Sequence, residues 1–318
     1  MKAIGGFFEL ELKRGKEFYP HLIKLNSGRN CLEYILRVRN YKKIFIPYYT
    51  CEVILEPIRR LNINYEFYHI NEMLEPEIQQ IDNDSALLYT NYFGLKGEFI
   101  KLISEKFRNI IIDNAQAFFS EPIKDIDTFY SPRKFFGVPD GGYLSINKKI
   151  NIPLKKDISL SRISHLLKRI ELGAEAAYDE FKHNEKSLDN QAIKEMSDLT
   201  KKILSSINYS KVKRIRNNNF NLLHDNLKDK NELKDLIEKS KPINGPMVYP
   251  FLITKDGVRE YLIKNKIYVA TYWPNVLKWA DKNSFEYKLA KYLLPLPIDQ
   301  RYGKDDMKRI LKIVKEYI

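Results

Sequence analysis

One lysine in the chain has surroundings that suit covalent chemistry better than solvation. Lys134 lies in FYSPRKFFGVPDGG, between two aromatic pairs and shortly before Gly141-Gly142. A lysine that aromatic rings shield from water loses its proton more easily, and the neutral amine can form a Schiff base with a carbonyl. The other interpretation of this segment is a lysine whose alkyl stem covers aromatic surface while its ammonium stays in water.

A carboxylate stands at the end of the most apolar short run of the chain. Asp113 follows three isoleucines in NIIIDNAQAF, so it lies where a buried strand is predicted to end. A buried carboxylate is costly without a strong partner, and a protonated ring nitrogen would be one. Gln116, three residues later, could reach the same ligand. A helix cap or a turn aspartate is the alternative.

A serine–glycine pair opens the first predicted helix. Ser27 and Gly28 precede CLEYILRVR, in which Leu32, Ile35 and Leu36 recur at helical spacing. Free N–H groups and the positive end of a helix attract anions, so a phosphate fits here, with Arg29 beside it. Taken alone, the pair is more typical of an ordinary helix cap.

Short apolar strands alternate with helices around these residues. KIFIP, NYEFYHI, SALLYTNY, NIIIDN and YLSIN are predicted strands, and EVILEPIRRLN and EFIKLISEKF are predicted helices. This alternation indicates an α/β fold with a mostly parallel sheet. Since ligands bind at the carboxyl ends of such strands, the polar segments there are expected to meet in one site.

The second half of the chain changes character. Residues 159–227 are predicted to be almost wholly helical, followed by strands in MVYPFLI and KIYVATYW and a last helix in KDDMKRILKIVKEYI. We expect a large domain over residues 1–207 and a small C-terminal α+β domain over 208–318. The first twenty residues are expected to pack with either domain.

Composition limits the class of protein. The net charge of +13 fits either a polyanionic partner or dispersed lysines on solvated helix faces. No apolar run is long enough to span a bilayer, and Cys31 and Cys51 cannot build a disulfide framework. No metal-ligand spacing is recognised. We expect a cytoplasmic protein that binds neither nucleic acid nor membrane.

The order of these motifs resembles that of fold-type-I pyridoxal-phosphate (PLP) enzymes. More narrowly, the chain is similar to the DegT/DnrJ family of sugar aminotransferases, which carries Ser-Gly-Thr, Glu-Asp-x-Ala-Gln-Ala and a lysine followed by Gly-Gly. Here these motifs read SGR, IDNAQAF and SPRKFFGVPDGG. YLLPLPIDQRYGKDDMKRILKIV resembles the closing turn and last helix of that family.

The resemblance implies an aspartate-aminotransferase-like fold with pyridoxal 5'-phosphate as cofactor. Lys134 would carry the cofactor and shuttle protons, Asp113 would pair with the pyridinium nitrogen, and Gln116 would lie near the phenolic oxygen. The residues implied for the phosphate are Ser27, Gly28, Arg29 and Ser131. Asn91 stands where the family often has histidine.

Several positions depart from the family pattern. Cys51, after Thr50, occupies the place of the aromatic that stacks on the cofactor ring, although Tyr48 or Tyr49 could substitute. Phe129 replaces a serine five residues before the lysine. The Asn-Tyr-Arg segment by which a partner subunit completes the site is not recognisable between residues 171 and 193. Cofactor binding is therefore expected, with an altered substrate side.

The resemblance predicts a homodimeric aminotransferase that moves an amino group from an amino acid, glutamate first among the candidates, to a nucleotide-linked keto-sugar. Surface polysaccharide or amino-sugar biosynthesis would use such a reaction. One alternative keeps PLP but acts on a non-nucleotide substrate or by elimination. Another is a non-catalytic sensor or nucleic-acid-binding protein on the same fold, which steeply salt-dependent binding would reveal.

Overall fold

A seven-stranded sheet organises the first half of the computed structural model, which describes residues 4–150 and 153–318. Its strands are β1 (Ile23–Leu25), β2 (Lys43–Pro47), β3 (Asn64–Tyr68), β4 (Ser85–Thr90), β5 (Ile110–Asp113), β6 (Asp127–Tyr130) and β7 (Gly142–Ser145). Their order across the sheet is β1-β7-β6-β5-β4-β2-β3. Strands β2 to β6 run parallel, whereas β7 and β1 are antiparallel to their neighbours.

Helices cover the sheet and form most of the second half. They are α1 (Gly28–Arg39), α2 (Leu55–Arg60), α3 (Gly97–Lys106), α4 (Ser164–Ala176), α5 (Tyr178–Ser187), α6 (Asp198–Ser205), α7 (Tyr209–Leu227), α8 (Lys234–Lys239), α9 (Val258–Lys264), α10 (Val276–Trp279), α11 (Phe285–Tyr292) and α12 (Lys304–Tyr317). Short 3-10 helices lie at Glu52–Ile54, Tyr92–Gly94, Pro132–Lys134, Leu160–Arg162 and Lys228–Lys230. No helix among the described residues is long and apolar enough to cross a membrane.

The central strands are apolar because both faces of the sheet are covered. In β5, Ile111 belongs to the core beneath α1, whereas Ile110 and Ile112 belong to the core on the other face. Side chains of a strand alternate between faces, so a run of three isoleucines supplies both cores at once. The strand is thereby fixed in the middle of the sheet, with Asp113 at its carboxyl end.

A two-stranded antiparallel sheet, β8 (Tyr249–Leu252) and β9 (Leu293–Leu296), lies in the C-terminal part. The prediction of a strand in KIYVATYW is wrong. Ile267 and Val269 are buried and Tyr268 is exposed, so the alternation is present, but β8 pairs with β9 instead. An alternating segment without a partner strand packs as extended loop.

The predicted fold class is confirmed by this mostly parallel sheet with its helical cover. Strands β1 and β6 were not anticipated, because each is short and neither has a long apolar run. The division into domains at residue 207 remains a proposal. It falls between α6 and α7.

The two glycines after the lysine segment allow β7 to lie against the start of α1. Gly141 has a φ of +124° and donates its N–H to the Asn26 carbonyl at 2.8 Å. A Cβ on Gly142 would lie 2.6 Å from the Ser27 carbonyl oxygen and 2.7 Å from the Cys31 Sγ. Both neighbours belong to the packed start of α1, so a side chain at position 142 cannot be accommodated without moving the helix.

Gly142→Ala is expected to destabilise the fold by about 1–3 kcal/mol, the usual cost of overpacking. Gly97→Ala at the start of α3 is the matched control, because no atom lies within 4 Å of its added Cβ. Helix propensity predicts that the control gains about 0.5–1 kcal/mol. Urea unfolding measures both variants, and a Gly142→Ala protein as stable as the parent would contradict the packing described here.

Candidate functional site

Asp113 presents a buried carboxylate at the carboxyl end of the sheet. Strands β4 and β6 flank it, with Thr90 and Phe129 as its register partners. The backbone N–H of Ala115 donates to its Oδ1 at 2.8 Å. Burial raises the pKa of Asp113, and the Lys134 ammonium and the Ala115 N–H oppose that rise. The carboxylate is therefore placed to bind a further cation strongly.

Lys134 ends the 3-10 helix that follows β6. Its neighbours Phe135 and Phe136 are buried, whereas the lysine side chain is exposed. The expectation of a desolvated lysine is therefore wrong, because only the flanking rings enter the core. The Nζ lies 6.0 Å from the centroid of the Trp273 ring. Lys134 thus lies near Trp273 and within electrostatic range of Asp113, and we call the region bordered by these three residues the cleft.

The segment after β2 brings Cys51 near Lys134 and Asp113 and brings the Tyr49 ring near Trp273. Burial raises the pKa of the Cys51 thiol, while Lys134, the Val53 N–H and Arg29 oppose the rise, and Asp113 adds to it. Cys51 thus lies within electrostatic reach of both predicted key residues. A thiol with a raised pKa is a poor nucleophile, so sulfur chemistry at this position is not favoured.

Tyr49 is fully buried behind the site. Its ring centroid lies 5.0 Å from that of Trp273, and its hydroxyl has no hydrogen-bond partner among the described residues. Trp273 is 9% exposed, and it contacts both Tyr49 and Lys134.

The start of α1 and the lysine segment meet at Gly28. Ser27 caps the helix, and its Oγ accepts the N–H of Asn30 at 3.2 Å. A Cβ on Gly28 would lie 3.6 Å from the Cβ of Ser131. Ser27, Ser131 and the start of α1 therefore lie close together, at the kind of helix end that attracts anions.

The side chain of Arg29 is engaged elsewhere. Its Nη1 lies 2.7 Å from a carboxylate oxygen of Glu56 and 2.7 Å from one of Asp189. Burial lowers the pKa of Arg29, but these hydrogen bonds outweigh burial and raise it. The guanidinium is thus paired, and Arg29 can serve an anion through its backbone N–H.

Gln116 and Asn91 are buried beside Asp113. The Oε1 of Gln116 accepts the Phe93 N–H at 2.8 Å, and its Nε2 has no partner among the described residues. Asn91 donates to Asn114 and Ser120 and accepts the Lys96 N–H. Gln116 therefore keeps a free donor, whereas the amide of Asn91 is used within the protein and supports the strand ends.

The arrangement combines an amine, a buried carboxylate and the start of a helix. Sequence reasoning did not single out Thr90, whose buried hydroxyl has no partner within residues 4–150 and 153–318 and which pairs in register with Asp113. Its position at the end of the predicted strand SALLYT was the available signal. Among the described residues, no group of three or more His, Cys, Asp or Glu could hold a metal ion.

Comparisons with known proteins find the fold but no close sequence. No protein-family model matches the chain, and no curated protein sequence matches it. A DegT DnrJ EryC1 StrS aminotransferase from Brucella abortus is 14% identical, with a TM-score of 0.59 over 93% of this chain and 86% of the other. The PLP-form of Spr1654, a proposed sugar aminotransferase from Streptococcus pneumoniae, is 12% identical, with a TM-score of 0.58 over 93% and 87%.

A third similar structure is a GDP-4-keto-6-deoxymannose-3-dehydratase, ColD, determined as a mutant with bound GDP-perosamine. It is 14% identical, with a TM-score of 0.59 over 92% of this chain and 87% of the other. At such identities the likeness concerns the fold. The resemblance to sugar aminotransferases is confirmed at that level, whereas the roles of individual residues remain predictions.

Asp113→Asn should stabilise the cofactor-free protein at neutral and alkaline pH. Burial raises the folded-state pKa of Asp113. The stability linked to this group is therefore fully present below its ordinary pKa of about 3.9, where the carboxyl is protonated, and it is lost as pH rises through the raised value. Asparagine keeps the acceptor for Ala115 and never ionises. Thermal unfolding should show a gain near pH 8 that shrinks toward about pH 5.

The control is Asp84→Asn, since Asp84 is exposed and pairs with Lys42 at the surface. We expect it to change stability little at either pH. An Asp113→Asn protein that is less stable than the parent near pH 8 would contradict the electrostatic account of the site.

Proposed function

We propose that this chain is a PLP-dependent aminotransferase that acts on a keto-sugar. The observation that carries the proposal is the meeting of Lys134, Asp113 and the Ser27-Gly28 helix start at one edge of the sheet. An amine, a buried carboxylate and an anion cradle are the three groups that PLP requires.

The residues present fit this cofactor. Asp113 would hold the pyridinium nitrogen, and its raised pKa indicates a carboxylate that gains from a cationic partner. The free Nε2 of Gln116 is a buried donor that suits the phenolic oxygen. Ser27, Gly28 and Ser131 would hold the phosphate at the start of α1, with the backbone of Arg29.

Each protein group then has a task. PLP supplies an electron sink when bound. Lys134 would hold the cofactor through its amine and afterwards move the proton between the substrate carbon and the cofactor, acting as general base and acid. Asp113 would keep the ring nitrogen protonated. Cys51, Tyr49 and Trp273 would shape the cleft, and Asn91 would support the strand ends.

The acceptor we propose is a keto-sugar carried on a nucleotide diphosphate, with glutamate as the first donor to test. GDP-perosamine in the similar dehydratase supports a nucleotide-linked sugar, and the net charge of +13 suits its phosphates. Surface polysaccharide or amino-sugar biosynthesis would use the product. We further propose a cytoplasmic homodimer that binds neither nucleic acid nor membrane.

A second candidate keeps PLP and eliminates water from the sugar, as the name of the similar dehydratase suggests. Members of the dehydratase branch carry histidine in place of the lysine, so the presence of Lys134 favours transamination. A binding protein without catalysis is disfavoured, because the buried carboxylate of Asp113 would then be a cost without a cationic ligand.

Titration of the purified protein with PLP should produce a visible absorption band that Lys134→Ala abolishes. Lys134→Arg is the matched variant, because it keeps the positive charge but removes the primary amine. Both variants should lose the band while unfolding at the parent's temperature. A band of equal intensity in either variant would exclude Lys134 as the attachment site, and no band in the parent would end the PLP proposal.

Glutamate added to the PLP-loaded protein should bleach that band within a single turnover and release 2-oxoglutarate. A transaminase must accept the amino group before it meets the sugar, so bleaching is expected without any acceptor. Glutamine and alanine serve as comparison donors. Loss of water from a nucleotide keto-sugar, without any transfer of nitrogen to it, would favour elimination instead.

A further inference from the structure

Arg216 of α7 is a buried cation whose hydrogen-bond acceptors are uncharged. It is 1% exposed, and its Nη1 donates to the carbonyls of Pro246 at 3.1 Å and Met247 at 3.0 Å. Its Nε donates to the Oε1 of Gln300 at 3.1 Å. Burial lowers its pKa to about 10, although the Asp299 carboxylate opposes that shift. Burying such a charge is costly, so a stabilising or functional gain must offset it.

The guanidinium holds the residue that follows Lys134. Its Nη2 donates to the Phe135 carbonyl at 3.4 Å, and its central carbon lies 4.6 Å from the centroid of the Phe135 ring. Gln300 donates its Nε2 to the same carbonyl at 2.7 Å. The ring and the carbonyl of Phe135 are therefore fixed by two residues that lie far along the chain.

The same guanidinium is also linked to Gln116, through the backbone of Met247 and Phe93. The Met247 N–H donates to the Phe93 carbonyl at 2.9 Å, and the Phe93 N–H donates to Gln116 at 2.8 Å. Hydrogen bonds, together with the backbone of Met247 and Phe93, thus link the neighbour of Lys134 through Arg216 to Gln116. Two residues that the proposed function places against the cofactor are joined by a buried cation.

We propose that Arg216, with Gln300, is a positioning residue that fixes Lys134 relative to Gln116 by holding the Phe135 carbonyl. The inference rests on the proposed function for its catalytic consequence. A planar guanidinium donates to several carbonyls at fixed angles, whereas a lysine offers one flexible point charge. Arg216→Lys therefore keeps the positive charge but loses the set of hydrogen bonds that the planar guanidinium donates to these carbonyls.

Hydrogen exchange on the cofactor-free protein tests the positioning by itself. The amides of Lys134, Phe135 and Phe136 donate to Ser131 and Pro132 within the turn, so their exchange reports its opening. Arg216→Lys should speed exchange there by about tenfold or more. Arg214→Lys is the matched control, since Arg214 lies two residues away on the same helix and is exposed.

The loaded protein supplies the second test. With Arg216→Lys, the pH midpoint of the PLP absorption band should shift and kcat with glutamate should fall about tenfold to a hundredfold, with KM changing less than kcat. Gln300→Leu should move both quantities in the same direction by a smaller factor. Arg214→Lys should match the parent.

The outcomes separate the two proposals. No PLP band in the parent would end the proposed function, while faster exchange in Arg216→Lys would still show that Arg216 holds the lysine segment. The inference would be overturned if Arg216→Lys and Arg214→Lys gave the same absorption band, the same pH midpoint, the same kcat and the same hydrogen-exchange rates. If Arg216→Lys does not fold, Gln300→Leu serves as the test variant instead. A Gln300→Leu protein that matches the parent in every measurement would contradict the inference.

Discussion

The proposed site depends on one carboxylate that the fold buries at the end of β5, at a cost to its own stability. Asp113 lies where water cannot solvate it, so its charge relies on the Ala115 N–H and on the Lys134 ammonium across the cleft. Both depend on the sheet, because β4 and β6 hold β5 in the middle and β6 leads directly into the lysine segment. A displacement of either strand would leave the carboxylate uncompensated.

The remaining parts of the fold bring further groups near Asp113 and Lys134. Gly141 and Gly142 allow β7 to lie against the start of α1, and Ser27-Gly28 at that start lies beside Ser131. The C-terminal part adds Trp273 to the cleft and fixes the Phe135 carbonyl. Residues from distant parts of the chain therefore converge on one lysine.

Local sequence patterns were enough to predict the site residues that lie on strands or at the start of a helix. The isoleucine run predicts a central strand and so places Asp113, and the serine cap predicts the start of α1. The same reasoning failed at KIYVATYW, because alternating burial is common to a strand and to an extended loop, and only a pairing partner separates them. Arg216 gave no local signal, since its burial depends on carbonyls of Phe135 and Met247 that α7 meets only in the folded chain.

The altered positions in the cleft have a physical consequence. Cys51 offers a small, half-buried thiol at the position where the resemblance implies an aromatic ring, while Trp273 brings aromatic surface to within 6.0 Å of the Lys134 Nζ from the other end of the chain. Trp273 therefore contributes to the shape of the cleft on this side, while Asp113 and Lys134 supply its charged groups.

The most direct test of the central claim is to reduce the PLP-treated protein with borohydride and map the modified residue by mass spectrometry. The account predicts a single phosphopyridoxyl group on the tryptic peptide from Lys134 to Lys148, since a reduced linkage at Lys134 blocks cleavage there and leaves Arg133 as the preceding site. Label that is spread over surface lysines, or absent from this peptide, would contradict it.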